Sequence, residues 1–178
     1  MVEIPKHLSP TAVGERTPMP RLAGERESLI AMLEWHRQTF ALKCADLGQE
    51  ALSRKAVPTS GLSLHGMLRH LTDGERWWFR LQFAGEHVPL LYYSDDDPNH
   101  DFDGLDGDIA EAHDRWRAEC DHSRAIVAAA SLDDRGTALT TGEPFTLRWL
   151  LLHTIAEYAR HNGHTDLLRE AIDGTTGH

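Results

Sequence analysis

This 178-residue chain is poor in cysteine, in basic residues and in long apolar runs, and each shortage removes a class of function. Its two cysteines, Cys44 and Cys120, are far apart. They make neither a disulfide scaffold nor a cysteine zinc site, and a reducing cytoplasm is the expected compartment. Eighteen Lys and Arg face 28 Asp and Glu, for a formal net charge of −10. With no Lys/Arg cluster to offset that balance, a nucleic-acid partner is not expected. No apolar run approaches the roughly 18–20 residues of a membrane span. Residues 1–21 hold no apolar stretch of the kind a signal peptide needs, so no membrane partner is expected either. Strand signals are nearly absent. Val88–Tyr93 is the candidate, and Pro89 weakens it. What the chain has in excess is histidine, 12 residues where ordinary usage is roughly one in 45.

The length suits one domain. Residues 1–21, with Pro5, Pro10, Pro18 and Pro20, read as an extended arm, and residues 22–174 as the single domain. Leu29, Leu33, Phe40, Cys44 and Leu47 recur at helical spacing over about 22–46. A second stripe of Leu64, Met67, Leu68, Leu71, Trp78 and Leu81 predicts a helix from near Leu62 to Gly85, with Ser60 or Ser63 as its N-cap. Residues 86–107 read as a long loop carrying the acidic run Asp95–Asp103. Ile109, Trp116, Cys120 and Val127 mark a third helix over about 108–130. After a turn region at 137–144, a fourth helix is expected over about 146–172, stopped by Asp173 and Gly174. Four such rods predict an all-α four-helix bundle.

The fourth helix carries the chemistry. One stripe runs Leu150, Thr154, Glu157, His161, His164 and Leu168, beside a second of Leu147, Leu151, Ile155 and Tyr158. The middle of a buried face should be apolar, yet it holds Glu157, His161 and His164, with His153 one turn before Glu157. A buried unpaired carboxylate costs several kcal/mol, so something must satisfy these groups. A hydrogen-bonded polar network is one solution. A metal ion is the other, because Glu157 and His161, at i and i+4, project to one point. A metal site needs three protein ligands. The second helix offers His70, at the border of its apolar stripe, and His65, further round. Spacing alone leaves both solutions open, and the zincin pattern His-Glu-x-x-His is missing.

Two stretches then carry a family resemblance. Leu147–Gly174, with Glu157-Tyr-Ala-Arg-His161, resembles the last helix of the DinB-like superfamily. Leu68-Arg-His70-Leu-Thr-Asp-Gly-Glu75-Arg-Trp-Trp-Phe79 resembles that family's second-helix motif. The likeness covers about 25–173 and is greatest to small bacterial proteins related to mycothiol-dependent maleylpyruvate isomerase and thiol S-transferases. It implies a four-helix bundle with a divalent metal between helices two and four, held by His70, Glu157 and His161. Many relatives have two His on the last helix, whereas Glu in the first position matches the isomerase branch. Where many relatives continue Arg-Gly-Gln, this chain has Asn162-Gly163-His164, which leaves the role of His164 open between ligand support and proton transfer. His153 has the same two options.

The implied cofactor is a divalent ion. Zinc is the default for such nitrogen and oxygen ligands, and affinity order does not exclude nickel, iron or copper. Three protein ligands leave a position open. A low-molecular-weight thiol bound there would be deprotonated, which makes thiol S-transfer to a small-molecule substrate the leading function. The alternatives are a metal-dependent small-molecule hydrolase and a non-catalytic metal- or ligand-binding bundle, as monomer or homodimer. Other motifs carry less. Asn99–Gly104 lacks the terminal Glu of an EF-hand, Trp77-Trp78-Phe79 reads as core and pocket wall, and no Gly-rich phosphate loop or Ser/His/Asp order is present.

Overall fold

A computed structural model describes residues 16–177. Most of the arm expected at 1–21 therefore lies outside the described residues, and residues 16–20 have no regular structure. About 60% of the described residues are helical, in six helices with one small hairpin. The elements are α1 (Glu25–Cys44), α2 (Gln49–Ser53), α3 (Leu64–Glu75) with a π-helical continuation over Arg76–Phe83, α4 (His100–Asp103), α5 (Ile109–Ala129), β1 (Arg135–Thr137), β2 (Pro144–Thr146) and α6 (Leu147–Asp173). Among the described residues, no helix is long and apolar enough to cross a membrane.

The four long helices begin and end close to where periodicity and capping put them. Ser63 Oγ accepts the Gly66 N–H at 3.0 Å and starts α3. Thr146 Oγ1 accepts the Trp149 N–H at 3.2 Å and starts α6. Each satisfies one of the donors a helix start leaves unpaired. Gly174 closes α6 in the left-handed region, φ 77°, with its N–H on the Glu170 carbonyl. Helix α1 packs along α6, and α3 packs against both α5 and α6. Phe40, Leu64, Met67, Leu68, Phe79 and Leu150 are fully enclosed between them.

Three features depart from the sequence expectation. The residues that end α1 include a short helix, α2, and the loop expected at 86–107 includes another, α4. The turn region around 137–144 folds into an antiparallel hairpin in which Gly136 pairs with Phe145. Gly136 is required there, because a Cβ would lie 2.7 Å from Phe83 Cα and 2.8 Å from the Gln82 carbonyl, both backbone atoms. Val88–Tyr93 forms no strand, in keeping with the loop expected over 86–107. The Asp73 carboxylate instead accepts the N–H groups of Leu91, Tyr92 and Tyr93, each at 2.8 Å, and so holds this segment against α3.

The π-helical turn has a direct consequence. Its wider i→i+5 pattern, seen in the 2.9 Å bond from Ala84 N–H to the Phe79 carbonyl, lowers the angle between neighbouring side chains. An α-helix would splay Trp77 and Trp78 about 100° apart. Here both face the same cavity, while Phe79 is buried in the core.

Candidate functional site

That cavity, about 940 Å³, is bounded by α3 and its π-helical continuation, the 90–102 segment and α6. His70, Glu157 and His161 all line it, as does His153. The His70 and His161 rings lie 4.8 Å apart, centre to centre and edge to face. His161 Nε2 is 3.4 Å from a Glu157 carboxylate oxygen. Residues 87 positions apart or more, on α3 and α6, are thus brought to one wall. The three side chains are not drawn into one coordination sphere. Among the described residues, no group of three His, Cys, Asp or Glu side chains stands at metal-holding geometry.

The chemistry of the donor set nevertheless fits a divalent cation. His70 Nδ1 lies 2.9 Å from an oxygen of Asp101, a residue only 5% exposed. A carboxylate takes a ring N–H at Nδ1, which leaves Nε2 with the free lone pair, as in carboxylate–histidine–metal arrangements. The second Asp101 oxygen is buried without a hydrogen-bond partner. His161 is pushed down to about 4, chiefly by burial and then by the His70 ring, with Glu157 opposing. It is therefore neutral at pH 7, the form that binds a metal. Nδ1 of His164 lies 3.4 Å from Nδ1 of His161, so one ring donates and the other accepts. His164 thus touches the site from behind and does not line the cavity. His65 is on another face of α3, buried and bonded to Ser53 Oγ at 2.9 Å.

At the cavity floor sits a carboxylate that periodicity did not single out. Glu75, 1% exposed, receives Arg37 through two bonds of 2.8 and 2.6 Å. Tyr158 donates its hydroxyl to Glu75 at 2.8 Å and accepts the Trp116 indole N–H at 2.9 Å. Burial works against the Arg37 charge, but Glu75 beside it raises its pKa overall. Burial pushes the Tyr158 hydroxyl well up, so it stays a neutral donor. Cys120 adjoins this network and Cys44 lies elsewhere in the core. Burial raises both thiols, Cys44 to about 12, which removes them as nucleophiles near neutrality.

Asp101 and Glu75 are the residues that sequence reasoning missed. Asp101 sits in the acidic run, where no helical period marks which acid turns inward. Glu75 stands inside the second-helix motif, four residues before Phe79, and its inward position follows from the i, i+4 relation to Leu71 and Phe79 once both are known to be core. A comparison with curated proteins finds no match. A family model described as mycothiol-S-transferase matches residues 28–174, and the chain belongs to that family.

Proposed function

We propose that this protein is a metal-dependent thiol S-transferase, with α1, α3, α5 and α6 forming the bundle of the DinB-like fold and His70, Glu157 and His161 holding one divalent ion between α3 and α6. The observation that carries this reading is the meeting of two imidazoles and a carboxylate on one cavity wall, with His70 Nδ1 already taken by buried Asp101. Two neutral nitrogens and one charged oxygen suit zinc, and nickel or iron accept the same set. The family's name supplies the thiol, mycothiol.

A divalent ion in this place would lower the pKa of a thiol so that it reacts as thiolate at neutral pH. The protein's own groups do the rest. Asp101 fixes the His70 tautomer and ring orientation. Glu157 adds the negative charge that favours a cation between two rings. His164, in contact with His161, is placed to hold or pass a proton at the back of that ring. The Trp77 and Trp78 walls keep water from the reacting sulfur and orient the second substrate. The reaction balances as thiol R–SH plus electrophile R′–X giving R–S–R′ plus HX. The S–C bond forms, the C–X bond breaks with its electron pair on X, and the thiol proton leaves with X.

The test is elemental analysis of untagged protein, followed by mycothiol consumption with an alkylating electrophile. One equivalent of metal, and turnover lost on chelation and restored on reloading, is the expected result. Turnover that persists fully in chelated protein refutes the metal dependence. Metal binding with no consumption of any thiol refutes the transferase reading.

A further inference from the structure

The charge of the cavity wall bears on what can enter it. Among the described residues that line the cavity there is no Lys or Arg. Five carboxylates line it instead: Asp73, Glu75, Asp95, Asp101 and Glu157. Some are partly offset. Arg37 lies behind Glu75, and Arg160 stands 3.8 Å from Glu157 on the outer side. Asp73 is occupied by three backbone N–H groups, which spread but do not cancel its charge. The guanidinium groups that offset these charges, Arg37 behind Glu75, Arg160 outside Glu157 and Arg69 beside Asp101 and Asp73, all lie outside the lining, so the surface a ligand meets is carboxylate, and the whole chain carries −10. Low-dielectric walls concentrate such a field within a cleft.

The remaining wall is apolar and aromatic. Trp77, Trp78, Leu90, Tyr93 and Phe102 face the cavity. Trp78 lies 4.3 Å from the His153 ring, Trp149 stacks on that ring at 4.9 Å with planes 8° apart, and the two indoles are 5.7 Å from each other. These rings form a tilted aromatic cluster, of which Trp78 and His153 reach the cavity that holds the His70 and His161 imidazoles. The volume is near the top of the range of about 300–1,000 Å³ for small-molecule sites, so there is room for a thiol and a second molecule together.

We infer that the electrophile accepted by this cavity is uncharged or cationic and apolar or aromatic, and that anionic compounds, small dicarboxylates included, are rejected by the carboxylate-lined wall. This inference rests on the proposed transfer site being this cavity. It adds the charge and shape of the second substrate, which the family name does not give. A compound bearing a carboxylate or phosphate needs a cation to offset its desolvation; no Arg or Lys lines the cavity, and in the proposed reaction the thiol takes the open position on the metal.

Equilibrium binding without any thiol tests this, so its failure is distinct from failure of the transfer reaction. Three dansyl probes of matched length are titrated into the full chain, zinc-loaded and again after chelation. N-Dansylethanolamine is uncharged, N-dansylethylenediamine cationic and N-dansylglycine anionic. Energy transfer from Trp77 and Trp78 reports occupancy. The uncharged and cationic probes are expected to bind about tenfold tighter than the anion in both forms, with the gap narrowing at high salt. Asp95 is exposed, and Asp95→Lys is expected to narrow the gap between uncharged and anionic probes about threefold. Trp78→Ala should weaken the uncharged probe about tenfold or more. The inference is overturned if the anion binds as tightly as the uncharged probe in either form. It is equally overturned if Asp95→Lys leaves their ratio unchanged, or if the uncharged probe binds Trp78→Ala at full strength.

Discussion

The Arg37–Glu75 pair offers the most direct energetic test of how the cavity floor is built. Glu75→Gln keeps the side-chain shape and an oxygen for the Tyr158 hydroxyl, but removes the charge facing Arg37. Arg37 is 3% exposed and cannot turn to water. Breaking a buried pair by neutralising one partner typically costs about 3–5 kcal/mol, because the other charge stays buried. Arg37 keeps one carboxylate, Glu34 at 2.6 Å, which is itself held by Arg124 at 2.8 Å. The cost should therefore fall at the lower end, about 3 kcal/mol. For a chain of this size each kcal/mol moves Tm by about 2–4 °C, so a fall of about 6–12 °C is expected. Urea unfolding followed by far-ultraviolet circular dichroism measures the free energy directly. The double variant Arg37→Met with Glu75→Leu removes both charges and should recover part of the loss. A deficit of about 1–3 kcal/mol remains, because the Tyr158 hydroxyl loses its acceptor. Metal content should not change in either variant, since Glu75 is outside the proposed ligand trio. A loss below about 1 kcal/mol for Glu75→Gln would refute the claim that Arg37 depends on this carboxylate.

His161→Ala should abolish stoichiometric metal binding while far-ultraviolet dichroism retains the helical signal, and full metal occupancy in this variant removes His161 from the ligand set. Asp101→Asn keeps an acceptor for His70 Nδ1 without the charge, and Asp101→Ala keeps neither. Competitive chelator titration should show weaker metal binding by roughly 10–100-fold, larger for Ala than for Asn, and equal affinity in both variants and the parent sinks the positioning role. Gly136→Ala forces a Cβ onto the backbone of Phe83 and Gln82, so its urea midpoint should fall by an amount equivalent to about 1–3 kcal/mol at unchanged slope.

The long helices were legible because each shows its core face in the sequence. Leu64, Met67, Leu68 and Leu71 lie on one stripe, and all four are buried in α3. Ser63 and Gly174 carry local chemistry that fixes a start and a stop whatever the surroundings. The hairpin was not legible, because Arg135–Thr137 and Pro144–Thr146 are three residues each, too short for an alternating pattern. What stabilises them is tertiary: Gly136 fits against the end of the π-helical turn, and the Leu139 N–H donates to Gln82 Oε1 at 3.1 Å. The π-helical turn itself has no compositional marker in Arg76–Phe83, so the shared orientation of Trp77 and Trp78 could not be derived from an assumed 100° step.

The same division runs through the site. Polar residues on α6 stood out because periodicity sets an apolar expectation that Glu157 and His161 break, and the second-helix motif supplied His70 on α3. Asp101 had no such contrast, since it sits among acids where any one of them would read as solvated surface. Its burial comes from α4, one turn of helix that stacks Phe102 against His70, with ring centres 5.0 Å and planes 27° apart. Arg69 holds the same turn by donating to the His100 carbonyl at 2.7 Å. These contacts turn one carboxylate of the run inward and leave Asp95 and Asp97 exposed. The loop thus does two jobs with one residue type. Asp101 orients an imidazole from within, while Asp95 adds charge at the cavity wall. A composition count sees only the excess of acid, and the two roles separate only when the register of a four-residue helix decides which side chain points in.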